Sequence, residues 1–199
     1  MTIKVNAKFL AACSLFTAKT DDRPYITGVS IEPHRDGGAL MVATNGHIIL
    51  ACHDKEAVIE SPILVKPGTK MTKRWREGEI EIGSDAMILQ SGKTAGSLIA
   101  IERLEGEWTF PDWRRNLPRQ RPSMKTDGCL PAGAYMALFD EAGRILGATC
   151  KFAPNDHGPW PVIFAPTLTD GSAYGILMPV GEKVYGCPVG SMPPKWVTP

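Results

Sequence analysis

Apolar residues crowd into residues 40–51, LMVATNGHIILA, where two short hydrophobic runs flank Thr44-Asn45-Gly46-His47. The pattern predicts a β-hairpin with Asn45-Gly46 as a two-residue turn and positive φ at both central positions. Upstream, residues 5–16 predict a helix, with Asn6 as its N-cap and Phe9, Leu10, Cys13 and Phe16 on one face. That face should pack on a sheet. Asp21-Asp22-Arg23-Pro24 ends the helix, residues 25–32 alternate as a strand, and His34-Arg35-Asp36-Gly37-Gly38 turns the chain into the hairpin.

Beyond the hairpin, residues 57–65 predict another strand, closed by Lys66-Pro67-Gly68, and residues 69–77 predict a short helix carrying Lys70, Lys73, Arg74 and Arg76. Residues 79–82, 86–89 and 97–101 predict three more strands separated by Gly and Ser turns. Helix followed by strand meander thus occurs twice in roughly 110 residues. Residues 106–118 form a proline-punctuated connector with two tryptophans, too apolar for a free linker and expected to lie against the domain.

Residues 119–127 are polar and mark a candidate boundary. After them Pro131 opens a third helix with Tyr135, Leu138, Phe139, Ala142, Ile145 and Leu146 on one stripe and Gly147 at its end. Residues 161–165 and 173–180 follow as strands, and the chain from Gly181 onward is rich in Gly and Pro. The reading is an α+β chain of repeated helix plus antiparallel meander units. It divides into a complete domain at 1–120, a partial domain at 121–182 and an irregular tail at 183–199.

Composition narrows the function classes. With 199 residues and 43% apolar content the chain can build a substantial core. A formal charge of +1 gives no global bias, so any nucleic-acid contact must rest on a local basic surface. No apolar run approaches the roughly 18 residues of a membrane span, and the N-terminus has no signal-like apolar region, so a cytoplasmic protein is expected. The five cysteines and four histidines are scattered without a C-x-x-C pair, which points to neither a disulfide framework nor a metal site. No cofactor is called for. The chain carries no H-E-x-x-H, P-loop or G-x-S-x-G, so a non-enzyme is expected.

Four stretches together resemble the bacterial beta sliding clamp, the processivity ring of DNA polymerase III. Arg23-Pro24-Tyr25-Ile26-Thr27-Gly28-Val29 and Val42-Ala43-Thr44-Asn45-Gly46-His47 are similar to the family's second-domain signature, a Tyr-Leu-x-Gly strand followed by Ala-Thr-Asp-Gly-His. Phe110-Pro111-Asp112-Trp113-Arg114-Arg115-Asn116-Leu117-Pro118 resembles its Phe-Pro-Asp-Tyr-Arg-Arg-x-Leu-Pro junction. Ala173-Tyr174-Gly175-Ile176-Leu177-Met178-Pro179-Val180 looks like its C-terminal Tyr-x-x-x-Met-Pro strand. The resemblance implies the DNA-clamp fold, with a second domain and about half of a third. Asn45 stands where the family has Asp, and Ile48 where it has Arg, which implies an altered peptide preference.

In that family a groove between the second and third domains receives short linear peptides from polymerases, the clamp loader and repair proteins. Carried over by motif, the groove here comprises Ile26, Thr44, Gly46, His47 and Ile49 from the first part. The connector adds Pro111 and Arg115, the third helix Tyr135, and the last strand Ile176, Met178, Pro179 and Val180. An apolar, Met-containing cavity suits Leu or Phe anchors, and His47 and Arg115 suit polar parts of a peptide. Non-specific contact with double-stranded DNA falls by the same resemblance to Lys8, Lys19, Arg23, Tyr25, Lys73, Arg74 and Arg76. The resemblance implies a processivity factor that assembles around duplex DNA as a homo-oligomer, a tetramer or dimer, with DNA polymerase or clamp-loader type partners. The alternative is a clamp-fold decoy or adaptor that binds such partners without encircling DNA.

Overall fold

The computed structural model describes residues 3–67, 77–103, 109–118, 129–155, 158–165 and 172–181. Asn6 closes β1 (Ile3–Asn6) and opens α1 (Ala7–Ser14), its side chain accepting the Lys8 N–H at 3.1 Å as an N-cap. The helix predicted from residue 5 starts later because Val5 and Asn6 pair with β6 (Glu79–Ile82) instead. The buried Asp54 carboxylate accepts the Asn6 N–H at 2.6 Å and so ties this junction to the end of β4 (Ile48–Asp54). Phe9, Leu10, Cys13 and Phe16 are buried as the pattern predicts, but so are Ala7, Ala11 and Ala12, leaving α1 little free face.

The strand predicted over residues 25–32 divides in two. Pro24 fixes the φ of a 3-10 turn, Pro24–Ile26, which Thr27 closes by donating its hydroxyl to the Pro24 carbonyl at 2.7 Å. Only then does β2 (Val29–Pro33) begin, followed by β3 (Ala39–Thr44) and β4. The strand predicted at 57–65 is β5 (Ile63–Pro67), displaced past Pro62; of the earlier residues, Val58 makes a single bridge to Lys4. Lys66 and Pro67 lie within β5 rather than closing it. The basic helix predicted at 69–77 falls outside the described residues but for Glu77, which lies in a bend.

β6, β7 (Ala86–Leu89) and β8 (Leu98–Arg103) form the predicted meander. β8 pairs with β7 through Leu98 to Ala100 and with β5 through Ile101 to Arg103, so one strand joins two groups. After β9 (Cys129–Leu130) comes α2 (Gly133–Leu146), whose N-cap is Ala132, so Pro131 precedes the helix rather than occupying its first turn. Gly147 ends it in the left-handed conformation, φ 71°, as the sequence predicts. β10 (Thr149–Phe152) then appears where no strand is predicted, ahead of β11 (Trp160–Ala165) and β12 (Ala173–Leu177). Met178 and Pro179 separate β12 from β13 (Val180–Gly181), which pairs with β9.

Among the described residues eleven strands run in one antiparallel sheet, ordered β1-β6-β7-β8-β5-β2-β3-β4-β12-β11-β10. The boundary predicted near residue 120 lies outside the described residues, but the parts on either side of it share this sheet through β4 and β12, from Ala173 opposite Cys52 to Leu177 opposite Ile48. β3 and β4 are apolar almost throughout because both their faces are covered. Met41, Ala43, Ile48, Leu50 and Cys52 face α1 and α2, where Phe16 and Phe139 meet edge to face at 4.8 Å. Leu40, Val42, Ile49 and Ala51 face the opposite way, against Trp113 of the connector and Ile176 of β12. Period-two alternation thus sorts one hydrophobic run into two cores.

Candidate functional site

The second of those cores opens at the tip of the β3–β4 hairpin into a cavity of about 180 Å3. Its walls are Arg23, Ile26, Thr44, Gly46, His47, Ile49, Pro111, Trp113, Asn116 and Met178. Each arrives by a local device. Asn45 accepts the N–H groups of His47 and Ile48 at 3.0 and 3.1 Å, and only Gly46 has positive φ, at 90°. The turn is therefore held by the Asn45 side chain, and the prediction of positive φ at both central positions fails at Asn45. The buried Thr44 hydroxyl donates to the Ile48 carbonyl at 2.8 Å and accepts the Gly46 N–H at 3.0 Å, locking the hairpin end.

The segment between α1 and β2 supplies Ile26 and Arg23. Ala18 N–H donates to the Ile26 carbonyl at 2.9 Å, and Ile26 N–H to the Arg23 carbonyl at 3.1 Å. The Arg23 guanidinium meets the Asp21 carboxylate at 2.8 and 3.0 Å, and this pairing lowers the Asp21 carboxyl to about 2. Both groups are solvent-exposed, so the pair fixes the direction of Arg23 more than it stabilises the fold.

Connector residues form the outer wall. A 3-10 turn, Trp113–Asn116, buries the Trp113 ring against the sheet, and Arg114 lies 4.9 Å from that ring while bonding Glu32 of β2 at 2.8 Å. The expectation that the connector packs on the domain holds for its described part. Met178 comes from the end of β12, where its N–H donates to the His47 carbonyl at 2.9 Å.

Seven of the predicted groove residues line this cavity: Ile26, Thr44, Gly46, His47, Ile49, Pro111 and Met178. Tyr135 stands beside them, its ring stacked on His47 at 5.6 Å, so the hairpin tip touches α2. Ile176 is fully buried in the core behind the cavity, Pro179 is half-buried, and Val180 belongs to the short β9–β13 ladder. Arg115 points to solvent, 83% exposed, and pairs with Asp112 at 3.0 Å. Ile48 is fully buried on the α1 side, so the side chain standing at the family's arginine position faces the core and not the cavity. Trp113 and Asn116 are cavity residues that motif matching passes over. Trp113 carried a usable signal, a large aromatic in an otherwise turn-rich connector.

The predicted DNA-contact residues are dispersed among other roles. Lys8 is half-buried with its ammonium 5.1 Å from the Phe9 ring, Tyr25 is half-buried and Lys19 is exposed, while Arg23 borders the cavity. Lys73, Arg74 and Arg76 lie outside the described residues. Among the described residues no group of three or more His, Cys, Asp or Glu side chains could hold a metal ion, and no helix is long and apolar enough to cross a membrane.

No protein-family model and no curated protein matches the sequence. Solved structures do. The DNA polymerase III beta subunit of Borrelia burgdorferi, in complex with a natural product, is 13% identical with a TM-score of 0.60, over 91% of this chain and 63% of that one. The Pseudomonas aeruginosa sliding clamp bound to griselimycin is 18% identical with a TM-score of 0.57, over 90% and 65%. The beta subunit from Streptococcus pyogenes is 13% identical with a TM-score of 0.57, over 91% and 65%. The chain spans less than two thirds of each. At these identities the likeness is one of architecture, and the architecture is that of the bacterial beta sliding clamps.

Proposed function

We propose that this chain is a cytoplasmic, clamp-fold replication accessory protein that captures short linear peptides of DNA polymerase or clamp-loader type proteins at the cavity beside the β3–β4 hairpin. The observation that carries this reading is the cavity itself, where Ile26, Ile49, Pro111, Trp113 and Met178 surround a space of about 180 Å3. That is below the roughly 300 Å3 of a drug-sized site, which suits one or two apolar side chains rather than a whole small molecule. The function is binding, not turnover: the Thr44 hydroxyl and the Arg23 guanidinium are already engaged within the protein.

The direct test is fluorescence polarisation with a fluorescein-labelled heptapeptide carrying a Leu-Phe pair in an Ala/Ser frame. Met178→Lys places a charge in the cavity and should weaken binding by tenfold or more, roughly the cost of an unpaired charge at an apolar contact. Equal affinity of wild type and Met178→Lys, with unchanged thermal unfolding, would remove the reading.

A second reading, an oligomer encircling duplex DNA, is favoured by the outer edge of β10, beyond which the sheet order has no further strand among the described residues. It predicts retention on nicked circular DNA and loss from linear DNA. Against it stand the near-complete burial of α1 and the mixed exposed face of α2, where Arg144 is paired with Asp140 at 2.9 Å. Among the described residues these features favour peptide capture without encirclement, the adaptor alternative, over a basic helix-lined channel.

A further inference from the structure

Among the described residues the cavity has four polar side chains, Arg23, Thr44, His47 and Asn116, of which the His47 ring is stacked on Tyr135 at 5.6 Å. Thr44 and Arg23 have their hydrogen bonds inside the protein, to the Ile48 carbonyl and the Asp21 carboxylate. Asn116 does not: it sits half-buried on the cavity wall at the end of the Trp113–Asn116 turn, and its carboxamide has no hydrogen-bond partner among the described residues. A carboxamide brings an N–H donor and a carbonyl acceptor in one plane, and leaving both unpaired beside Trp113, Pro111 and Met178 is unfavourable once an apolar ligand excludes water. A hydrocarbon alone would leave that defect in place. A peptide main chain corrects it, because one peptide unit carries a matching N–H and C=O.

We infer that Asn116 is a specificity-determining residue that grips the main chain of the bound peptide by paired amide hydrogen bonds, next to the apolar anchor seated in the cavity. This rests on the cavity being the peptide site. The position suits that role, because Trp113, three residues earlier in the same turn, is buried against the sheet, and Arg114 is tied to Glu32, so the amide is presented on a fixed support. The ligand class follows. It is an extended peptide with a free main-chain N–H beside its apolar anchor, and a proline or N-alkylated residue there is disfavoured.

The test titrates the same fluorescein-labelled Leu-Phe heptapeptide, and a set in which each main-chain nitrogen is N-methylated in turn, against wild type, Asn116→Val and Met178→Lys. Asn116→Val keeps the wall's volume and removes only its amide, and it should weaken binding of the parent peptide by about fivefold to tenfold, the scale of a hydrogen-bonded pair. One N-methyl position should weaken binding to wild type by a similar factor and cause no further loss with Asn116→Val, a coupling that a merely structural role would not produce. Asn116→Val binding as tightly as wild type, or every N-methyl peptide losing equally on both proteins, would overturn the inference while Met178→Lys still weakens binding by tenfold or more. Peptide binding that is absent, or indifferent to Met178→Lys, would remove the cavity reading and this inference with it.

Discussion

Cys13 shows how much one buried side chain can set. Its thiol lies on α1 beneath the hairpin, donating to the Met41 carbonyl at 3.6 Å and lying 4.0 Å from that of Leu50. Burial, then the neighbouring Cys52, pushes its pKa well above the usual thiol range. The neutral thiol is therefore the folded form, and the unfolded chain gives up the proton first. The stability this contributes is fully present below the ordinary thiol pKa of about 8.5 and is lost as pH rises from there toward the raised folded value. Urea unfolding should show stability falling above pH 9, with a slope from this group of at most about 1.4 kcal/mol per pH unit. Cys13→Ala should flatten that limb while keeping the smaller contributions of Tyr174 and Cys150, both also raised by burial. An alkaline limb identical in Cys13→Ala would show that the thiol does not carry it.

At the scale of elements, α2 and β12 meet at a contact that only glycine permits. A Cβ on Gly175 would stand 2.5 Å from Cε1 of Phe139 and 3.0 Å from Cβ of Val162, and Phe139 itself is held by Phe16 and Phe152. Gly175→Ala should cost about 1–3 kcal/mol by overpacking, read from the denaturant midpoint, and Phe139→Leu in the same chain should recover part of it. A neutral Gly175→Ala would mean that the helix can slide on the strand. Elements with local signals were legible beforehand: the Asn6 cap, the Gly147 stop, the α2 stripe and the Gly46 turn each rest on a few adjacent residues. What was illegible depended on distant partners. Residues 48 and 49 are both isoleucine, and only the placement of α1 on one side and Trp113 on the other decides which is core and which is cavity. β10, with the sequence TCKF, carries no strand pattern of its own and exists because β11 pairs with it. Asn116 was invisible for the same reason, since a polar residue in a turn reads as solvated until the strand end bearing Met178 is set opposite.

For the whole molecule, the question is what an eleven-stranded sheet does at its two ends. β1 carries the Lys4–Val58 bridge along its outer side, whereas among the described residues β10 pairs with β11 alone. The Ala153 N–H donates to the Pro161 carbonyl at 2.9 Å, so by antiparallel alternation the N–H of Lys151 also faces β11 and that of Cys150 faces outward. An outward row of donors and acceptors is a template for another strand, and a second copy of this chain supplies one at defined geometry. Sedimentation velocity from about 1 to 100 µM, a range spanning weak to moderate self-association, should therefore show a concentration-dependent oligomer. Cys150→Pro removes one outward donor without touching the β11 ladder, so it should shift the protein toward monomer with little change in thermal midpoint. Lys151→Pro, which breaks the inner ladder, should instead destabilise the fold by about 3 kcal/mol or more. A wild-type monomer throughout that range would leave peptide capture as the function that needs no partner copy, and would set aside the ring.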